Sequence, residues 1–350
     1  MQAFFCPEQL RHTPQHIMRL GRLLPPNDVP ARAETLGQVL TRRGIALQTP
    51  ADVGRAPLMA IHSAAYLDYL EHAWSRWQAL AAEGLNPGPE VLPNLSPYYN
   101  GRIETGRAPC PATAMAAQTG YYLGDLSCPI GPHTWRAALR ATHTAVAAAE
   151  SVIVGGNLAY ALCRPSGHHA HRDRAVGFCY LNNSAAAAQT LVQHYGRVAV
   201  LDVDAHHGDG TQQIFYQRAD VLTVSLHADP ANYYPFYTGY AHETGYGEGQ
   251  GYNLNLPLPH GADNAVFAAA LDTALAALRD YQPCAVVLAL GFDSYKDDPI
   301  SVLKLDMAAY RHIGACVTRL GLPTVVVQEG GYLVSAIGDA LDAFLHGLTA

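Results

Sequence analysis

Charge is scarce in this chain. Asp, Glu, Lys and Arg make up 15% of it, the formal net charge is −7, and no block of basic residues occurs. A nucleic-acid backbone would find no basic footprint here. The seven cysteines (6, 110, 128, 163, 179, 284 and 316) are odd in number, scattered and free of any Cys-x-x-Cys pair. That spacing excludes a thiolate zinc finger and argues against a disulfide framework, so reduced, cytoplasmic residence is expected. The start, Met1 to Glu8, lacks the basic-then-apolar order of a secretory leader. No uninterrupted apolar stretch approaches the ~20 residues of a membrane helix. Internal repeats and low-complexity tracts are also missing, and no linker divides the chain. What remains is 350 residues, 49% of them hydrophobic, enough for one large α/β core.

The most informative stretch is Asp202-Val203-Asp204-Ala205-His206-His207-Gly208-Asp209-Gly210. It follows the apolar run Val198 to Leu201, which reads as a strand buried on both faces. Three carboxylates and two imidazoles thus crowd the end of a buried strand. Burying them is costly unless a cation or dense hydrogen bonding compensates. A strand ending in Asp-x-Asp-x-His suits a divalent metal. An Asp helix cap beside a surface histidine would account for one carboxylate but not three. The glycines allow a tight turn into a helix over 210–218.

Residues 1–30 hold five prolines and read as an irregular arm. Helices are expected over 31–43, from Pro57 to about Ala82 with Tyr66, Leu70 and Trp74 on its buried face, and over 133–151. Residues 86–132, rich in Pro, Gly, Asn and Tyr, read as a long rim loop, a length that is usually functional. Beyond 157, apolar runs at 158–163, 197–203, 221–226, 284–290 and 324–328 alternate with helical segments at 183–195, 264–281 and 306–320. This predicts a parallel sheet with helices on both faces.

Polar groups follow each run: His168 and His169, then Asp202 to Asp209, Ser225 to Asp229, Asp293, and Glu329 to Tyr332. Open α/β sheets bind ligands beyond the carboxyl ends of their strands, so these five segments should meet in one crevice. Asp204, His206 and Asp293 form a three-ligand metal set with one position left open, the catalytic zinc arrangement. Asp202 and Asp209 are spare acids, each able to orient one imidazole of His168-His169 through Nδ1. Tyr332, after two glycines, can help a metal hold an acyl oxyanion. Phe178 and Tyr234 could wall a narrow tunnel that suits an alkyl chain or a cation. His171, His194, His227, His242 and His260 read as structural or surface histidines, and His207 as a turn residue.

Arg-Pro-Ser-Gly-His-His-Ala (164–170), Gly-Phe-Cys-Tyr-Leu-Asn-Asn (177–183), Asp-Val-Asp-Ala-His-His-Gly-Asp-Gly (202–210), Val-Ser-Leu-His (224–227), Gly-Phe-Asp-Ser-Tyr-Lys-Asp-Asp-Pro (291–299) and Glu-Gly-Gly-Tyr (329–332) together resemble the arginase–deacetylase superfamily. The resemblance is to its histone deacetylase-like branch, and within that to bacterial acetylpolyamine amidohydrolases. It covers roughly 130–345 strongly and the first 130 residues weakly. It implies a single three-layer catalytic domain over 1–350 with a mostly parallel sheet of about eight strands. The activity implied is deacetylation of N-acetylated amines, acetylpolyamines foremost, with acetyl-lysine peptides or another N-acyl amine as alternatives. It further implies one zinc or ferrous ion per chain on Asp204, His206 and Asp293. His169 would be general base then acid, His168 its electrostatic partner, Asp209 and Asp202 their respective acids, and Tyr332 the oxyanion donor. Gly177, Phe178 and Tyr234 would line the substrate tunnel. Structural potassium would sit near Asp202, Asp204, His206, Ser225 and Leu226, with a second ion near Phe215, Arg218 and Val221. A homodimer is implied as well, with the 86–132 loop narrowing the entrance.

Arginases of the same superfamily use two manganese ions and need further carboxylates at positions that here are Gly208 and Tyr295. A one-metal amidohydrolase is therefore expected over a ureohydrolase. A non-catalytic homologue would lack a proton carrier or an oxyanion donor, and neither is missing. Acetylpolyamine enzymes meet the distal ammonium with acids near the tunnel mouth. The stretch Arg11 to Arg22 has none, which leaves Glu104 as a candidate.

Overall fold

The run Val198 to Leu201 carries no polar side chain, and alternate residues must point to opposite faces of a strand. In the structure, a computed structural model that describes residues 1–94, 96 and 107–349, both faces are indeed covered. Val198 and Val200 pack with Val287, Val325 and Val327 into one core. Ala199 and Leu201 pack with Leu288, Leu290 and Val326 into another on the opposite side. Helices Thr134–Ile153 and Asn183–Tyr195 cover the first face; Pro30–Arg42, Asn264–Tyr281, Met307–Leu320 and Val334–Gly347 cover the second. The result is a three-layer α/β fold.

The strands are β1 (Gln2–Phe4), β2 (Ile17–Arg19), β3 (Arg22–Leu24), β4 (Leu47–Gln48), β5 (Leu158–Ala161), β6 (Val198–Asp202), β7 (Val221–Ala228), β8 (Asn253–Leu258), β9 (Ala285–Leu290) and β10 (Thr324–Gln328). Eight of them form one sheet in the order β4-β1-β5-β10-β9-β6-β7-β8. Every pair in it is parallel. β2 and β3 form a separate antiparallel hairpin. Asp202, the last residue of β6, pairs with Ser225 of β7 and Ala289 of β9. The carboxyl ends of the three central strands therefore lie side by side.

Several expectations shift. The arm is only partly irregular, because β1 enters the main sheet and Ile17–Leu24 forms the hairpin. Its anchor is Arg164, buried at 1% exposure, which donates to the carbonyls of Gln9, His12 and Asp28 and to the Asp28 carboxylate. The helix expected from Pro57 begins at Ala64, where the Ser63 hydroxyl accepts the Tyr66 N–H. Within the supposed loop 86–132, Met115–Tyr122 is helical, and a Val91–Ile130 bridge joins its two ends. Glu104 lies outside the described residues. The helix expected over 210–218 runs from Asp209 to Phe215. All seven cysteines are free. Among the described residues no helix is long and apolar enough to cross a membrane.

Candidate active site

The tight turns after β6, β9 and β10 bring three ligand-type side chains together. Asp204 and His206 follow β6, and Asp293 follows β9. One ligand atom from each lies within 4.8 Å of the others, and all three residues are buried. His206 Nδ1 is 3.2 Å from Asp204 Oδ1 and 3.0 Å from Asp293 Oδ2. Bonds of ~2.0–2.1 Å in a tetrahedral site would set ligand atoms roughly 3.3 Å apart. The donor set therefore fits a zinc-like divalent ion. Backbone amides turn the carboxylates: Ala205 N–H donates to Asp293 Oδ1 (2.9 Å) and Gly330 N–H to Asp204 Oδ2 (2.8 Å). A Cβ at Gly291 would strike the Asp204 carboxylate, and one at Gly330 both carboxylates. Burial and the neighbouring Asp204 charge push Asp293 up, as expected for two carboxylates sharing one buried space.

Beside this cluster stands the histidine pair. The loop that carries it is fixed by Glu329, whose carboxylate accepts the N–H groups of Gly167 (2.7 Å) and His168 (3.1 Å) and the Ser184 hydroxyl (2.7 Å). Burial pushes Glu329 up to about 7. His168 Nδ1 donates to Asp202 Oδ2 at 2.9 Å, and His169 Nδ1 to Asp209 Oδ1 at 2.7 Å. The two rings lie 4.0 Å apart, yet their environments pull them in opposite directions. Burial disfavours charge on His168, but Asp202 and Asp204 outweigh it and hold the ring well above the usual imidazole range. Burial and the His168 charge bring His169 down to about 4. One imidazole is kept protonated and its neighbour neutral, with a lone pair free on Nε2.

Asp209 also accepts a second imidazole. His171 Nε2 donates to its other oxygen, Oδ2, at 2.8 Å. His171 is thus no surface histidine; it is 3% exposed. Burial opposes the charge on Asp209, but His171 and His169 hold it well below the carboxylate range. His227, read as structural or surface, is buried and bridges Ser225 Oγ and the Gly239 carbonyl, and His207 bonds Thr238 and Gln212.

Aromatic walls complete the crevice. Tyr234 meets His169 edge-on at 5.0 Å, Tyr233 stacks on His206 at 4.5 Å, and Phe178 meets Tyr332 at 5.7 Å. Gly177 has φ +58°, where a Cβ would enter the His169 ring. Asp125 fastens both walls, since its Oδ2 accepts the Gly177 N–H (3.0 Å) and the Tyr234 hydroxyl (2.8 Å). Tyr332 is positioned from behind. Arg32 donates to the carbonyls of Gly331 (2.5 Å) and Glu329 (2.7 Å), and its guanidinium lies 4.7 Å from the Tyr332 ring centre. Burial raises the Tyr332 phenol well above its usual range, with Arg32 opposing and Asp293 and Asp204 adding to the rise. It remains a hydrogen-bond donor. The sequence alone points to neither Arg32 nor Asp125, and it gives His171 no role beyond a structural or surface one. Only the Asp28–Arg32 spacing, one helical turn, hinted at a buried pair.

Residues 27–348 match the histone deacetylase domain family. The acetylpolyamine amidohydrolase of Burkholderia pseudomallei is 44% identical over 350 residues, covering 100% of this chain and 99% of that protein. Acetylpolyamine amidohydrolase 1 of Pseudomonas aeruginosa is 43% identical over 340 residues, covering 97% and 96%. The crystal structure of the acetylpolyamine aminohydrolase from B. pseudomallei superposes with a TM-score of 0.93 over 100% of this chain and 99% of that one, at 44% identity.

Proposed function

Because the chain belongs to the histone deacetylase family, we propose that it is a metal-dependent amidohydrolase that removes acetyl groups from N-acetylated amines, with acetylpolyamines as substrates. The observation that carries this reading is the buried Asp204–His206–Asp293 group beside the His168–His169 pair, each imidazole bonded through Nδ1 to its own carboxylate. Full-length similarity to acetylpolyamine amidohydrolases supports the substrate. In this proposal residues 1–350 act as one catalytic unit.

Asp204, His206 and Asp293 would hold zinc or ferrous iron, which when bound polarises a carbonyl and acidifies a water. His169 Nε2 takes the proton from the water that attacks the acetamide carbon. Asp209 fixes the tautomer, because an ionised carboxylate accepts only and so keeps the hydrogen on His169 Nδ1. The His168 charge, balanced by Asp202, lowers the basicity of His169 and favours return of the proton. The Tyr332 hydroxyl donates to the oxyanion of the tetrahedral carbon. Protonated His169 then delivers its proton to the amine nitrogen as the C–N bond breaks, leaving acetate and a free amine. Gly177, Phe178 and Tyr234 enclose the alkyl chain and keep bulk water out.

Potassium near Asp202, Asp204, His206, Ser225 and Leu226 is part of the proposal, supported by the in-register Asp202–Ser225 pair. A second ion would use backbone carbonyls around Phe215, Arg218 and Val221. We also propose a homodimer; Leu20 and Leu23 on the β2–β3 hairpin, 95% and 61% exposed, are apolar surface that a second copy could cover.

The test is acetate release from acetylputrescine and from an acetyl-lysine peptide, beside urea release from arginine. Acetate from acetylputrescine, and no urea, is expected. Faster release from the peptide would move the substrate to proteins. Urea would move the chain to the arginase branch, and no acetate from any N-acyl amine would overturn the reading.

Two further outcomes are expected in that assay. Tyr332→Phe should lower turnover by roughly 10²–10³, the usual loss for one oxyanion donor, with the fold unchanged by circular dichroism. Arg32→Lys keeps the charge but cannot span two carbonyls with a rigid fork. Turnover should fall by about tenfold, equivalent to roughly 1.4 kcal/mol. Turnover equal to that of the parent would dismiss Arg32 as the support of the Tyr332 turn.

A further inference from the structure

We infer that His171 is a positioning residue for the reaction, acting through Asp209 as the second anchor of the carboxylate that orients His169. The inference rests on the proposed role of His169 as proton carrier. Three side chains form an unbroken series: His169 Nδ1 to Asp209 Oδ1 at 2.7 Å, then Asp209 Oδ2 to His171 Nε2 at 2.8 Å. All three are nearly closed to solvent, with side-chain exposures of 5%, 8% and 4%.

The second bond matters because of how an aspartate moves. Its terminal torsion is soft and roughly two-fold, so a carboxylate held at one oxygen can rock about Cβ–Cγ. A donor on each oxygen fixes the plane. The plane of Asp209 sets the direction of the His169 Nδ1–H bond, and therefore where Nε2 points on the far side of the ring. Misplacement of a proton-transfer atom by a fraction of an ångström is costly to turnover while leaving substrate binding intact.

The His171 backbone is held independently of its side chain. Its N–H donates to the Arg174 carbonyl at 3.0 Å, and its carbonyl lies 3.0 Å from His62 Nδ1. Gly210 seats the neighbouring Ala170 carbonyl so closely that any Cβ there would clash. These backbone contacts of the loop do not involve the imidazole. The imidazole is free to serve Asp209, and its replacement tests that service.

The experiment uses the metal-loaded full chain with acetylputrescine, comparing His171→Ala, His171→Met and His171→Gln. Metal content and melting temperature are measured for each. Alanine removes the donor, methionine fills the volume without donating, and glutamine restores an N–H aimed at Oδ2. The expected result is a kcat about tenfold lower for Ala and Met, with KM within about twofold of the parent. Gln should recover kcat to within about threefold.

A purely structural residue would lower the folded fraction or metal content of all three, without separating kcat from KM and without rescue by Gln. Unchanged kcat in Ala and Met, a Gln variant as slow as Ala, or a loss confined to KM would each overturn the inference. Should Ala and Met fail to fold, the comparison is Gln against Asn, whose shorter amide falls short of Oδ2. Equal kcat there overturns the inference, and a slower Asn variant supports it. If the parent enzyme releases no acetate, the functional reading falls and takes this inference with it. If the parent is active and the variants do not separate, only the role of His171 falls.

Discussion

Asp293→Ala is expected to abolish acetate release and to leave the purified protein without a stoichiometric divalent ion. Two buried carboxylates and one imbedded imidazole are too few to lose any. Asp293 Oδ2 lies 3.0 Å from His206 Nδ1, and Asp293 also accepts the Ala205 N–H in the turn that carries His206. Its removal takes away a ligand and unsettles a second one. The same change has a thermal signature. Burial and the neighbouring Asp204 charge push Asp293 up. A raised carboxylate contributes stability below its unfolded-state pKa and loses it as pH rises through the folded value. Added zinc should therefore raise the melting temperature of the parent protein, more at pH 7 than at pH 5, by mass action on the folded state. The variant should not respond. Elemental analysis and thermal melts decide the matter; a variant that keeps one ion per chain and its turnover would remove Asp293 from the ligand set.

His169→Ala should lower kcat by roughly 10²–10⁴, the range for a positioned general acid–base. His169 is the imidazole that burial and the His168 charge bring down to about 4, so it is neutral at pH 7 and ready to accept a proton. Its working form is lost as pH falls toward that value. The parent enzyme should therefore lose activity on acidification, and the variant's residual rate should lack that limb. His168, whose ring Asp202 and Asp204 hold well above the usual imidazole range against the pull of burial, favours its charged form and is a poor substitute in the role. A pH–rate profile of both proteins checks this. Equal acid limbs in the two would assign the titration elsewhere.

The order of strands and helices beyond residue 157 was readable because buried parallel strands leave uninterrupted apolar runs. β8 escaped because it is an edge strand in which Asn253 and Asn255 are buried while Leu254 and Leu256 are half-buried, the reverse of the expected alternation. β1 and β4 are too short to leave a pattern. The site was legible for a related reason: its ligands and imidazoles all sit where apolar runs stop. The groups that hold them in place were not. Arg32 meets Gly331 across 299 positions and Asp125 meets Gly177 across 52, separations at which one sequence carries no trace of a contact. His171 was in plain view beside the histidine pair. Nothing in its neighbourhood revealed that Asp209 had a second oxygen to satisfy.

One carboxylate joins the two halves of the crevice. Asp204 spends Oδ2 on the Gly330 amide, two residues before the phenol, while Oδ1 faces His206. A tilt of that single group would shift the ion's cradle and the phenol's turn in concert. Drift in the inner chamber is therefore penalised twice over, and changes in which amines are accepted would accumulate at the rim, where side chains can be exchanged without disturbing this shared hinge.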